Sequence, residues 1–125
     1  MLVVLLVVGC QRAPQPVAYH GEVTLDGRPL ATGRIQFVVK GEPPEATDIV
    51  DGKFAGVALP GPKGVEIYGF RPSVAIPNDP TQSPELGNSV ENYVPEMYNT
   101  YSTLFGEIRP NGPNEFEFVL RSASP

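Results

Sequence analysis

The sequence predicts an all-β fold: an antiparallel two-sheet β-sandwich of about seven strands, with one long irregular insertion. Three observations predict it. Short runs alternate apolar and polar residues with a period of two, as in a strand with one buried face. Proline (15) and glycine (13) make up about a fifth of the 125 residues, which suits short strands joined by turns better than helices. No stretch of useful length carries the 3.6-residue period of an amphipathic helix.

The elements follow in order from Val17. In "VAYHGEVTL", Val17, Tyr19, Gly21, Val23 and Leu25 share one parity and mainly polar residues share the other. Asp26-Gly27 is a turn signal, because glycine takes positive φ without steric cost. "GRIQFVVK" is a strand with Ile35, Phe37 and Val39 alternating, and the prolines of "GEPPEA" end it. "TDIVDGKFAGVAL" reads as a hairpin around Asp51-Gly52. "PGPKG" is expected as a loop. "VEIYGF" is a strand with Val65, Ile67 and Gly69 on one face and Glu66, Tyr68 and Phe70 on the other. Regularity stops over residues 71–100, which hold Pro72, Pro77, Pro80, Pro84 and Pro95; connections of that length are usually functional or mobile. It returns at "YSTLFGEIRP", and the turn "NGPN" leads into "EFEFVLR". The expected core is Val23, Leu25, Ile35, Phe37, Val39, Ile49, Phe54, Val65, Ile67, Phe116, Phe118 and Leu120. At about 1.5–3 kcal/mol for each fully buried large apolar side chain, such a set can offset the ordering entropy of one domain.

Ahead of this domain lies "MLVVLLVVGC", an apolar run too short to span a bilayer, which needs about 20 residues. Its length suits a signal-peptide core. Its ending, Val7-Val8-Gly9-Cys10, resembles the lipobox of bacterial lipoproteins, in which the cysteine is lipidated and becomes the mature N-terminus. The expected layout is a signal peptide at 1–9, a tether at 10–16 behind lipidated Cys10, a β-domain at 17–121 and a tail at 122–125. Acyl chains on Cys10 make the membrane a partner, and place the domain in the cell envelope, facing the periplasm or the exterior.

Three further stretches carry a family resemblance: "GEVTLDGRPLATGRIQFV", "DIVDGKFAG" and "VPEMYNTYSTLFGEIRPNGPNEFEFVL". Together with the lipobox they resemble small secreted lipoproteins of planctomycete-type bacteria, which are similar to carboxypeptidase regulatory-like, or transthyretin-like, domains. The matching residues are Gly21, Val23, Gly27, Pro29 and Leu30; then Asp51, Gly52 and Phe54; then Pro95, Tyr98, Asn99, Ser102 and Leu104. The resemblance covers roughly residues 17–121 and implies a prealbumin-like Greek key. It implies an accessory module and carries no catalytic residues or cofactor.

The chemistry-bearing residues point the same way. A net charge of −5 leaves no basic face for nucleic acid. With one cysteine and one histidine, a zinc site of nitrogen and sulfur ligands cannot be assembled. A serine triad would have to use His20, and there is no G-x-S-x-G elbow. Glu91 and Glu96 flank Tyr93, while Glu66 and Glu107 lie in strands; solvated faces explain these carboxylates. Asp48 and Asp51 lack the spacing of a calcium loop, and "NDPTQSPE" is a weaker cation candidate. The expectation is a non-enzymatic, lipid-anchored envelope module with a structural or protein-interaction role, without metal or cofactor. The alternative is a carbohydrate or small-ligand module that stacks its ligand on Tyr93, Tyr98 and Tyr101, near Phe105. Envelope proteins or polysaccharide are the corresponding partners. In a packing role, Pro95 ends the insertion, Tyr98 and Asn99 fasten it down, and Ser102–Leu104 start the closing strand.

Overall fold

A computed structural model describes residues 15–72 and 90–122. The expected signal peptide, Cys10, most of the tether, "NDPTQSPE" with the rest of 73–89, and residues 123–125 lie outside the described residues. The strands are β1 (Val17–Leu25), β2 (Arg28–Pro29), β3 (Thr32–Val38), β4 (Glu45–Val50), β5 (Lys53–Ala58), β6 (Gly61–Pro72), β7 (Val90–Asn92), β8 (Leu104–Ile108) and β9 (Glu115–Leu120). Among the described residues a 3-10 turn spans Glu96–Tyr98.

Both Asp-Gly pairs form the turns their chemistry requires. Asp26 and Gly27 have φ of 55° and 78°, and Asp51 and Gly52 have φ of 52° and 77°. Two successive positive φ values mark the type I′ turn, whose twist matches a hairpin. The first turn joins β1 to β2 and the second joins β4 to β5.

The nine strands form one sheet curled into a half-barrel. Its ladder runs β2-β1-β5-β4-β3-β6-β7, with β9 beside β1 and β8 beside β6. Pairing is continuous from β9 round to β8, so the hydrogen bonds draw no boundary between two sheets. The nine strands exceed the seven expected because β2 and β7 are two and three residues long, too short for an alternating pattern. One pair departs from the antiparallel expectation: β9 runs parallel to β1, from His20 opposite Glu115 to Leu25 opposite Leu120.

The inner face matches the period-two reading. Val23, Ile35, Phe37, Ile49, Phe54, Val65, Ile67, Phe118 and Leu120 are buried, with Leu25 and Phe116 packed at the margin. Val39 lies beyond the end of β3 and outside this core. Tyr19, Leu30, Ala58, Val94 and Ile108 complete it. Rings bridge the curl: Tyr19 meets Phe37 edge-on at 4.8 Å, and Phe37 meets Phe116 at 5.6 Å.

Two segments expected as irregular are ordered. "PGPKG" is not a loop: β6 starts at Gly61, and Gly61–Val65 pairs with β8. Pro62 is tolerated because β3 reaches only Gly64, so no partner on that side needs its missing N–H. Within 71–100, Phe70–Pro72 pairs with Val90–Asn92, extending the sheet.

Candidate functional site

The stretch from Asn92 to Leu104 is built mainly by side-chain to main-chain hydrogen bonds. Asn92 Oδ1 accepts from the N–H groups of Gly69 and Val94, each at 3.1 Å. Asn99, 2% exposed, donates from Nδ2 to the carbonyls of Ile67 (3.1 Å), Val94 (3.2 Å) and Pro95 (3.1 Å). Its Oδ1 accepts from Thr100 N–H at 2.9 Å. Ser102 Oγ donates to the Val65 carbonyl and accepts from Leu104 N–H at 3.1 Å. These bonds supply partners for a chain segment that has little ladder of its own.

The three candidate tyrosines occupy different environments. Tyr93 is half-buried and packs over Gly69, where a side chain would collide with Val94, Leu30 and Tyr93 itself. The Arg71 guanidinium lies 5.2 Å from the Tyr93 ring centre and is held by Glu91 at 2.7 Å. The half-buried Tyr98 ring packs against the core, and its hydroxyl accepts from Arg121 N–H at 3.1 Å. Tyr101 is 71% exposed and Phe105 64%. No ring contact joins the three tyrosines.

A concavity lies elsewhere, on the outer face of β4, β5, β1 and β9. It is an open groove of about 780 Å³. Alternation puts Val50, Lys53, Ala55, His20, Glu22, Glu115 and Glu117 on this face, and Asp48 with them. In one row across the strands Val50 faces Lys53, Lys53 faces Glu22, and Glu22 faces Glu117. Four carboxylates line the groove against one lysine, and His20 Nε2 lies 3.9 Å from Glu115. Its potential is therefore negative, with apolar relief from Val50 and Ala55.

Beside the groove β9 has an edge with which no described strand pairs. His20 N–H donates to the Asn114 carbonyl (3.0 Å) and Asp26 N–H to the Leu120 carbonyl (2.9 Å). In a parallel ladder with these ends, the main-chain groups of Phe116, Phe118 and Leu120 point at β1. Those of Glu115, Glu117 and Val119 point away, and no described strand pairs with them. A second cleft of about 360 Å³ lies between β8 and β9, lined by Phe105, Glu107, Arg109, Asn114, Glu115 and Phe116 among others.

Two buried or partly buried polar clusters lie away from the groove. Lys63 is on the inner face of β6, 3% exposed, with its ammonium on the Glu45 carboxylate. Glu45 also accepts from Leu59 N–H at 2.8 Å. Burial, and then the Glu45 charge, push the Tyr19 hydroxyl pKa up. On the outer face of β6, Tyr68 and Phe70 have ring planes 13° apart. Beside them Gln36 donates to Glu66, and the Tyr68 hydroxyl donates to Glu66 at 3.4 Å. Burial, then the Glu66 charge and this hydrogen bond, raise the Tyr68 pKa.

The candidate acids are dispersed: Glu91 pairs with Arg71, Glu96 opens the 3-10 turn, Glu66 is on β6 and Glu107 on β8. Asp51 sits in a hairpin turn. Among the described residues no group of three or more His, Cys, Asp or Glu side chains is arranged to hold a metal ion. Nor is any helix among them long and apolar enough to cross a membrane.

Sequence reading placed the strands of the groove but not the groove itself. Its residues come from Glu22, Asp48, Lys53 and Glu117, spread over nearly the whole domain, and only the register brings them together. One local signal was available: "EFEFVL" puts an acid at alternate outward positions on a strand that turns out to be an edge. Comparison with known proteins finds no matching family model, no matching curated protein and no matching solved structure.

Proposed function

We propose that this chain is a non-enzymatic module of a bacterial cell envelope that works by contact with other envelope proteins. In this reading lipid on Cys10 holds it to a membrane, with the domain facing the periplasm or the exterior. The observation that carries the interaction role is the open groove on β4, β5, β1 and β9, which adjoins an unpaired sheet edge. The anchor rests on the sequence "VVGC" alone. The finer fold reading, a transthyretin-like sandwich, has β9-β1-β5 facing β3-β6-β8. It is supported by ring contacts between strands that are not ladder neighbours, Tyr19 with Phe37 and Phe37 with Phe116.

Two experiments test the parts separately. Growth with an alkyne fatty acid should label the wild-type protein and leave Cys10→Ala unlabelled; equal labelling of both removes the anchor. A photo-crosslinker replacing Ala55 in the groove should give a discrete adduct in intact cells. The same probe at Gln36, on the outer face of β3, should give none. Matching products from both positions, or none from either, remove the interaction role from this face.

A second reading, polysaccharide binding, is favoured by Tyr68 and Phe70 rather than by Tyr93, Tyr98 or Tyr101. Two nearly parallel rings flanked by Gln36 and Glu66 offer a stacking surface with polar groups at its side. A glycan array comparing wild type with Tyr68→Ala and Tyr101→Ala tests it. Binding lost only with Tyr68→Ala supports this surface, and identical profiles remove it.

A further inference from the structure

The unpaired edge of β9 is specific about what it can accept, and this inference rests on the interaction reading above. The geometry points to strand addition at this edge by an extended segment of another protein in which lysine or arginine alternates with apolar residues. Three observations lead there.

The first is the free ladder. Glu115, Glu117 and Val119 direct their main-chain donors and acceptors outward, and no described residue meets them. An added strand satisfies these groups with main-chain hydrogen bonds and needs no pocket.

The second is the pattern of side chains along that ladder. Glu115 and Glu117 stand on the outer face, followed by the exposed Val119, while Phe116, Phe118 and Leu120 face the core. In a sheet, a residue directly opposite lies about 5 Å away on the same face. A guest strand therefore places two successive outward residues against Glu115 and Glu117, with the Glu22 carboxylate on the far side of β9, opposite Glu117. Basic residues fit those two positions. The intervening residues turn towards Phe116 and Phe118, and apolar side chains fit there.

The third observation selects the source. A second copy of this chain is a poor guest, because its edges on β7, β8 and β9 bring Glu91, Glu107, or Glu115 and Glu117 against the same carboxylates, and its β2 edge, with Arg28, is only two residues long. Like charges directly opposite one another destabilise a strand pair. The chain's own undescribed segments are no better, since 1–14, 73–89 and 123–125 contain a single basic residue, Arg12. The guest must come from a different, basic protein, and the net charge of −5 attracts one.

The test uses the full chain and a labelled ten-residue peptide in which lysine alternates with valine or threonine. Two control peptides have the same composition: one is scrambled, and one is N-methylated at alternate residues so that one edge cannot hydrogen-bond. Fluorescence anisotropy should show saturable binding of the alternating peptide, weakened by about fivefold with each of Glu115→Lys and Glu117→Lys. It should be largely lost with the N-methylated and scrambled peptides. Glu91→Lys, on a distant edge, should change nothing. Equal binding of the scrambled peptide overturns the proposal, as attraction to net charge alone. So does indifference to N-methylation, or no saturable binding. Lipid labelling at Cys10 and crosslinking from Ala55 do not depend on this peptide, so failure here leaves the broader reading to its own tests.

Discussion

The Asn99 side-chain amide donates to the main-chain carbonyl of Ile67, 3.1 Å away and 32 residues earlier in the chain. This bond ties the segment after β7 to the middle of β6. Asn99 also serves Val94, Pro95 and Thr100, so one side chain supplies partners to four backbone groups. Asn99→Ala should lower stability by about 3 kcal/mol, because it leaves buried carbonyls without donors. Asn99→Asp should cost more at pH 7, since a carboxylate would face those same carbonyls. Urea unfolding midpoints at constant slope measure both. If Asp is tolerated better than Ala, the amide is not the donor that matters.

Lys63 and Glu45 form the second long-range tie. Lys63→Met leaves the Glu45 carboxylate without its main charge partner, at a cost of about 2–3 kcal/mol, the lower end for a buried pair because Glu45 is partly exposed. Adding Glu45→Gln should restore part of that loss. A double-mutant cycle reads the coupling, and strictly additive losses would show the pair to be uncoupled.

Gly21 leaves no room for a side chain between β1 and β9. A Cβ there would lie 2.3 Å from the Phe116 carbonyl oxygen and 2.4 Å from the Phe54 ring. The oxygen is main chain and cannot rotate aside, so Gly21→Ala should cost about 3 kcal/mol and loosen β9. Hydrogen exchange of Phe116, Phe118 and Leu120 amides, faster in the variant than elsewhere in the sheet, is the expected signature.

Asp26 links stability to pH. Its carboxylate accepts from the Ser122 hydroxyl and from Ser122 N–H at 2.9 Å, and these bonds, the hydroxyl first, hold its pKa below the ordinary 3.8. A depressed pKa contributes stability above the unfolded value and loses it as pH falls through the folded value. Asp26→Asn keeps a residue that tolerates the positive φ of this turn and removes the charge. The variant should be less stable than wild type at pH 7, and the difference should close in acid, below pH 3.8. A gap that persists unchanged in acid would assign the effect to the turn instead.

Tyr98 reaches the far end of β9, where its hydroxyl accepts from Arg121 N–H. Tyr98→Phe keeps the ring packing and should cost about 1 kcal/mol. Tyr98→Ala should cost several-fold more through lost packing. Equal costs for the two variants would place the whole effect in the hydroxyl.

The strands were legible because burial follows a period of two: Val23, Ile35, Phe37, Val65 and Ile67 are inward as their parity requires. Both Asp-Gly turns were legible because the chemistry is local. The start of β6 was not, since Pro62 and two glycines read as breakers and only the absent β3 neighbour makes them acceptable. The parallel β1–β9 pair was not either, because nothing local distinguishes an edge strand lying beside the first strand from one closing a hairpin. Tyr98 and Asn99 were legible as fasteners, though their partners Arg121 and Ile67 are distant in sequence.

Strand addition requires a free β9 edge, and residue-resolved hydrogen exchange measures that directly. In the protein alone, the amides of Glu117 and Val119 should exchange fast while those of Phe116, Phe118 and Leu120 are slow; the alternating basic peptide should then slow Glu117 and Val119. Amides of Glu117 and Val119 already as slow as their neighbours in the free protein would contradict it, for the edge would have no place to offer.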